Sequence, residues 1–97
     1  MCQLDRLQRL KAEIYRIAQR HHARKVYVFG SCARKEETPG SDIDLLAEFK
    51  PNASLFDQIR LEQELSDYLQ ISVDVVDLEA LRNGYFQEQV MREMVAL

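Results

Sequence analysis

Asp42 and Asp44 lie two residues apart in Ser41-Asp42-Ile43-Asp44-Leu45-Leu46, at the start of an alternating apolar run. Residues at i and i+2 of a strand point to the same face, so the two carboxylates stand together and repel each other unless a cation lies between them. Upstream, Val26-Tyr27-Val28-Phe29-Gly30-Ser31-Cys32-Ala33-Arg34 reads as a covered strand that breaks at a glycine-serine corner. Downstream, Asp74 interrupts Ile71 to Val76, a run otherwise apolar except for Ser72. A buried ionised carboxylate there costs several kcal/mol unless it is paired or metal-bound. Three carboxylates on adjacent strands make a hard-oxygen site suited to Mg²⁺. Two such ions, set between the carboxylates and a nucleoside triphosphate, neutralise the phosphates and hold the attacking and leaving oxygens in line.

Each of these residues also has a plainer use. Asp74 reads equally well as a buried aspartate bonded to Arg, Lys or backbone. Asp42 and Asp44 could be solvated charges on an exposed strand edge. The Ser31 hydroxyl can bond a phosphate oxygen and Gly30 admits close backbone approach, yet Gly-Ser alone is usually just a turn. Ser31 is a poor nucleophile candidate, since the pattern sets no histidine base beside it. Arg34 could neutralise phosphate or sit exposed on a short helix, and Cys32 reads as packed rather than reactive.

The elements that must position these groups follow from periodicity. Leu4, Leu7, Leu10, Ile14, Ile17 and Ala18 form one amphipathic helical stripe, ending in the basic Arg20-His21-His22-Ala23-Arg24. The adjacent histidines are a weak metal motif, because neighbouring helical residues point about 100° apart. Lys25 to Phe29 is a strand apolar on both faces. Ser31 to about Lys35 suits a helical turn, and Glu36 to Gly40 a polar one. Between Asp42 and Phe49, residues Ile43, Leu45, Ala47 and Phe49 face one way; Asp42, Asp44, Leu46 and Glu48 face the other. Ser54 with Asp57 starts a helix to about Tyr68, on which Leu55, Ile59, Leu61, Leu65 and Leu69 are assigned to one face. A third strand follows over Ile71–Val76, then Asp77 caps a helix that Asn83-Gly84 interrupts. Tyr85, Phe86, Val90 and Met94 give the last segment an apolar stripe.

The expected fold is α/β (α+β) in the order α-β-α-β-α-β-α: a small three-stranded mixed sheet flanked by about four helices. The strand–long helix–strand succession implies a parallel crossover between the second and third strands. The short corner between the first two implies an antiparallel pair. The expected domain organisation is one domain over residues 1–97.

Composition sets outer bounds. Of 97 residues, 13 are Lys or Arg and 16 Asp or Glu, a formal net charge of −3 that argues against direct nucleic-acid binding. Two cysteines, Cys2 and Cys32, show no ligand spacing and suit a reduced, cytoplasmic protein. No segment approaches membrane-spanning length, so no membrane partner is expected.

Gly30-Ser31-Cys32-Ala33-Arg34, Ser41-Asp42-Ile43-Asp44-Leu45 and Val73-Asp74-Val75 together resemble the signature of the minimal nucleotidyltransferases (MNT) of the DNA polymerase β-like superfamily. The resemblance covers nearly the whole chain. It departs at Lys35, where the family often has glycine, and at the Asn83-Gly84 break. It implies that Asp42, Asp44 and Asp74 hold Mg²⁺, that Asp74 helps deprotonate the attacking hydroxyl, and that Gly30 and Ser31, with Arg34, bind the triphosphate of ATP. It further implies an antitoxin of the type encoded beside a HEPN-domain ribonuclease toxin, transferring AMP to a tyrosine of that partner. Two other outcomes stay open: a non-catalytic module that masks the partner, and nucleotidyl transfer to a small molecule.

Overall fold

A computed structural model describes residues 3–30, 42–81 and 86–97. Among them, two helices, α1 (Gln3–Arg9) and α2 (Lys11–Arg20), precede strands β1 (Ala23–Phe29) and β2 (Ile43–Phe49). Then come helix α3 (Leu55–Leu69), strand β3 (Val73–Asp77), a 3₁₀ turn (Leu78–Leu81), helix α4 (Phe86–Glu93) and strand β4 (Val95–Ala96). The strands form one sheet in the order β3-β2-β1-β4.

The strand alternation decides what each face of the sheet covers. Ile43, Leu45, Val26, Val28, Val73 and Val75 are buried on one face, against Leu4 and Leu7 of α1, Ile14 and Ile17 of α2, and Leu61, Leu65 and Leu69 of α3. On the other face Leu46 is fully buried with Leu78 and Val90, while Tyr27, Phe29, Val76, Leu81 and Met94 pack around them. The set expected to carry charge therefore splits: Leu46 anchors a second core, and Asp44 lies at its border.

Strand directions agree with expectation. β1 pairs antiparallel with β2, placing Phe29 opposite Asp44. β2 pairs parallel with β3, placing Asp44 opposite Asp74. The strand count differs from the expected three, because Val95 and Ala96 pair with Val28 and Tyr27 as a fourth. That pairing depends on contacts across the whole chain and has no local signature.

The first helical stripe also divides. Leu10 leaves the α-helical path, its N–H donating to both Arg6 O at 3.1 Å and Leu7 O at 3.2 Å, and the chain resumes as α2. Such a tightened turn satisfies the backbone without a full break. At the end of α2, His21 Nε2 lies 3.0 Å from Glu64 Oε1 of α3, and Arg20 pairs with the same carboxylate. His22, left-handed at φ 64°, brings Nδ1 to 3.3 Å from Asp57 Oδ1, without hydrogen-bond geometry. An acid thus stands beside each histidine, Glu64 by His21 and Asp57 by His22.

Helix α3 begins as expected: the Ser54 N–H donates to Asp57 Oδ2 at 2.8 Å, and Ser54 O accepts from the Asp57 N–H. Its packed face is narrower than expected. Leu61, Leu65 and Leu69 are buried, but Leu55 is 69% and Ile59 44% exposed, with Phe56 at 71% beside them. At 100° per residue Ile59 points about 160° away from Leu61, so the two cannot share a stripe.

A polar stripe on α3 closes the open edge of the sheet. Ser66 Oγ accepts the Val73 N–H at 3.0 Å, and Glu62 Oε2 accepts the Val75 N–H at 2.9 Å. Gln58 Nε2 donates to Val75 O at 2.9 Å. Spaced by four, these side chains stack along one helical line and replace the ladder that a further strand would make. Among the described residues, no helix is long and apolar enough to cross a membrane.

Candidate active site

The chemistry-bearing residues meet where β1 ends and β2 and β3 begin. Because Phe29 is opposite Asp44 and Asp44 opposite Asp74, the three side chains form one row across the second face. Gly30 follows Phe29 with φ 72°, a left-handed conformation that turns the chain out of β1. A Cβ built on Gly30 would lie 2.7 Å from Asp44 Oδ2. The corner thus needs glycine twice, for its backbone angle and for the space the carboxylate occupies.

Asp44 is half-buried, while Asp42 and Asp74 are exposed. The exposure of Asp74 corrects the expected burial: Val73 and Val75 point into the main core, but Asp74 points to the other face at the mouth of the sheet, where water offsets its charge. The strain falls on Asp44 instead. Burial pushes its carboxyl above the ordinary value of 3.8, and the charges of Asp74 and then Asp42 push it further the same way.

These residues suit a hard divalent cation by their chemistry. They offer carboxylate oxygens from adjacent strands, and Asp44 is held in a field that a cation would relieve. As the side chains stand, no group of three His, Cys, Asp or Glu among the described residues is disposed to hold a metal ion. Asp42, Asp44 and Asp74 share one end of the sheet rather than one coordination point. Ser31, Arg34 and Cys32, with Cys2, Lys35, Asn83, Gly84 and Tyr85, lie outside the described residues.

Two clefts open at opposite ends of the sheet. One, of about 410 Å³, is lined by Glu62, Ser66, Asp67, Ser72 and Asp74 and so adjoins the acidic row. Another, of about 480 Å³, is lined by Arg24, Phe49, Lys50, Ser54 and Asp77 and opens where β2 and β3 end. That places it at the opposite end of the sheet from Asp44, so it does not enclose a substrate for these carboxylates. Glu62 and Ser66 were not anticipated near the site. Their spacing of four was legible, but it looks the same as an ordinary solvated helix face.

The polymerase beta nucleotidyltransferase family matches residues 12–97. The protein adenylyltransferase MntA of Thermococcus cleftensis is 36% identical over 86 residues, covering 89% of this chain and 86% of that protein. A solved structure provisionally described as a minimal nucleotidyltransferase superposes with a TM-score of 0.84 at 37% identity, over 100% of this chain and 97% of its own. An MNT antitoxin in complex with a tri-AMPylated HEPN toxin of Shewanella oneidensis has the same fold at a TM-score of 0.64 and 22% identity, covering 92% of this chain and 69% of the other. A match over this span, joined to the same fold at 37% identity, means that the chain belongs to the polymerase beta nucleotidyltransferase family, among its minimal members.

Proposed function

We propose that the chain is a Mg²⁺-dependent protein adenylyltransferase that moves AMP from ATP to a tyrosine hydroxyl of a HEPN ribonuclease toxin and thereby acts as its antitoxin. The observation that carries this reading is the register of Asp44 with Asp74 on neighbouring parallel strands, against the Gly30 corner. The relationship to the Thermococcus cleftensis adenylyltransferase supports the reaction, and the shared fold of the MNT antitoxin supports the kind of partner.

In this reading Asp42 and Asp44, with Asp74, hold the cation, which when bound neutralises phosphate charge and polarises the reacting phosphoryl group. Gly30 and Ser31 let the backbone and a hydroxyl approach the triphosphate, and Arg34 adds a positive charge. The acceptor oxygen bonds to the α-phosphorus as the bond to pyrophosphate breaks. The hydroxyl proton passes to Asp74, which is open to water and can release it.

The test is incubation with ATP labelled at the α-phosphate, Mg²⁺ and the HEPN protein encoded beside this chain. Label should appear on the partner, and be lost when its acceptor tyrosine is replaced by phenylalanine. No transfer by the wild type, or undiminished transfer by Asp44→Ala, overturns the reading.

One observation favours neutralisation by masking as a second reading. Leu4 and Val90 are buried in the chain's own cores, whereas Leu55, Phe56 and Ile59 form an exposed apolar patch on α3. An Asp42→Ala/Asp44→Ala chain that still protects cells from the toxin decides for masking.

A further inference from the structure

Among the described residues, Asp74 is carried by a five-residue strand that has a partner strand on one side only. The parallel ladder engages β3 through its even-numbered residues, as when the Ile43 N–H donates to Ser72 O at 3.0 Å. Val73 and Val75 turn their peptide groups the other way, to the open edge. There the Val73 N–H is bound by Ser66 and the Val75 N–H by Glu62. These are the residues on either side of Asp74.

We propose that Ser66 and Glu62 are positioning residues for Asp74: by bonding the backbone immediately before and after it, they fix where its carboxylate stands relative to Asp44. An edge strand held on one side only would slide and twist, and the in-register pair would lose its alignment. The inference rests on the proposed role of Asp44 and Asp74 in holding a divalent cation. The same bonds would also protect the sheet edge if they had no bearing on the site, so the test must separate the two roles.

Mn²⁺ serves as the probe, titrated into the isolated chain by calorimetry, with amide hydrogen exchange followed at Val73 and Val75. Ser66→Ala removes the acceptor, and Ser66→Thr restores a hydroxyl. Glu62→Leu and Glu62→Gln form a second matched pair, should either alanine or threonine variant fail to fold. Loss of an acceptor is expected to speed exchange at Val73 or Val75 and to weaken Mn²⁺ binding about tenfold, the usual effect of removing a group that orients a ligand. The threonine and glutamine variants should stay within about threefold of wild type on that same scale. Faster exchange with unchanged Mn²⁺ affinity shows edge protection alone and overturns the inference. A wild-type chain that binds no Mn²⁺, or an Asp44→Ala variant that binds it equally well, overturns the cation reading itself, a different and separable result.

Discussion

Gly30 and Asp44 occupy one space: a side chain on the glycine would meet Asp44 Oδ2 at 2.7 Å, on a backbone with φ 72°. The close atom is the end of the Asp44 side chain, whose backbone is held between β1 and β3, so the carboxylate must turn aside to make room.

Gly30→Ala should therefore damage both stability and function. The left-handed conformation alone costs a residue with a Cβ about 1–2 kcal/mol, which lowers the melting temperature of a domain this small by about 4–16 °C. Displacing Asp44 should further reduce adenylyl transfer at temperatures where the variant is still folded. Calorimetry and transfer assays run below the lower melting point separate the two. Wild-type transfer by a folded variant would show that the contact is irrelevant to the chemistry.

Asp44→Asn should do the opposite to stability while abolishing transfer. Burial, then Asp74, then Asp42 raise the pKa of Asp44 in the folded chain above 3.8. The folded state consequently holds this proton more tightly than the unfolded chain, and stability falls as pH rises through the window above 3.8. At neutral pH the ionised carboxylate is a liability that asparagine removes. The variant should melt higher than wild type at pH 7, with the gap closing below pH 3.8. Mg²⁺ should raise the melting temperature of wild type more than that of the variant, since only a ligand that binds the folded state stabilises it.

Local pattern made the site legible in part. The alternation from Ile43 to Phe49 names both faces of β2, and the chain order predicts one antiparallel and one parallel neighbour for it. Alternation could not tell which carboxylate would be buried, because that depends on what covers the second face. Leu78 and Val90 arrive there from farther along the chain and bury Leu46; on the same face Asp44 is half-buried, while Asp74 stays in water. Likewise β4 exists only because Val95 and Ala96 find the free edge of β1. Ile59 was misplaced for a different reason: it is apolar, but its angle on α3 is wrong for the stripe of Leu61, Leu65 and Leu69.

The contacts between the end of α2 and helix α3 predict an acid limb in the stability profile. The Ser54 N–H, then His22, hold Asp57 below its ordinary 3.8, and His21, then Arg20, hold Glu64 below 4.5. A carboxylate whose folded pKa is lowered contributes stability above its unfolded value and loses it as pH falls through the folded one. Melting temperature should thus drop as pH falls from about 4.5 downward. The Asp57→Asn/Glu64→Gln chain should be less stable than wild type at pH 6 and show a flatter acid limb. Both carboxylates keep some contact with solvent, so high salt should shrink the difference. An unchanged acid limb in the double variant would assign acid sensitivity elsewhere.

Tyr15→Phe tests the tie between α2, β1 and the end of the chain. The Tyr15 hydroxyl accepts the Val26 N–H at 3.1 Å and donates to Leu97 O at 2.9 Å, so one group serves two backbone segments. Leu97 is itself buried and returns its N–H to Val26 O at 3.1 Å. Phenylalanine keeps the ring but strands the Val26 donor, whose loss of a partner costs about 1–3 kcal/mol. The melting temperature should fall by several degrees, with faster amide exchange at Val26 and Leu97. Val26 lies well before the Gly30 corner, and the row from Phe29 to Asp74 is aligned by β2 rather than by β4. Adenylyl transfer by the folded variant should accordingly remain within about twofold of wild type, less than half a kcal/mol on the barrier. A collapse of transfer with stability intact would instead tie the β4 edge to the chemistry.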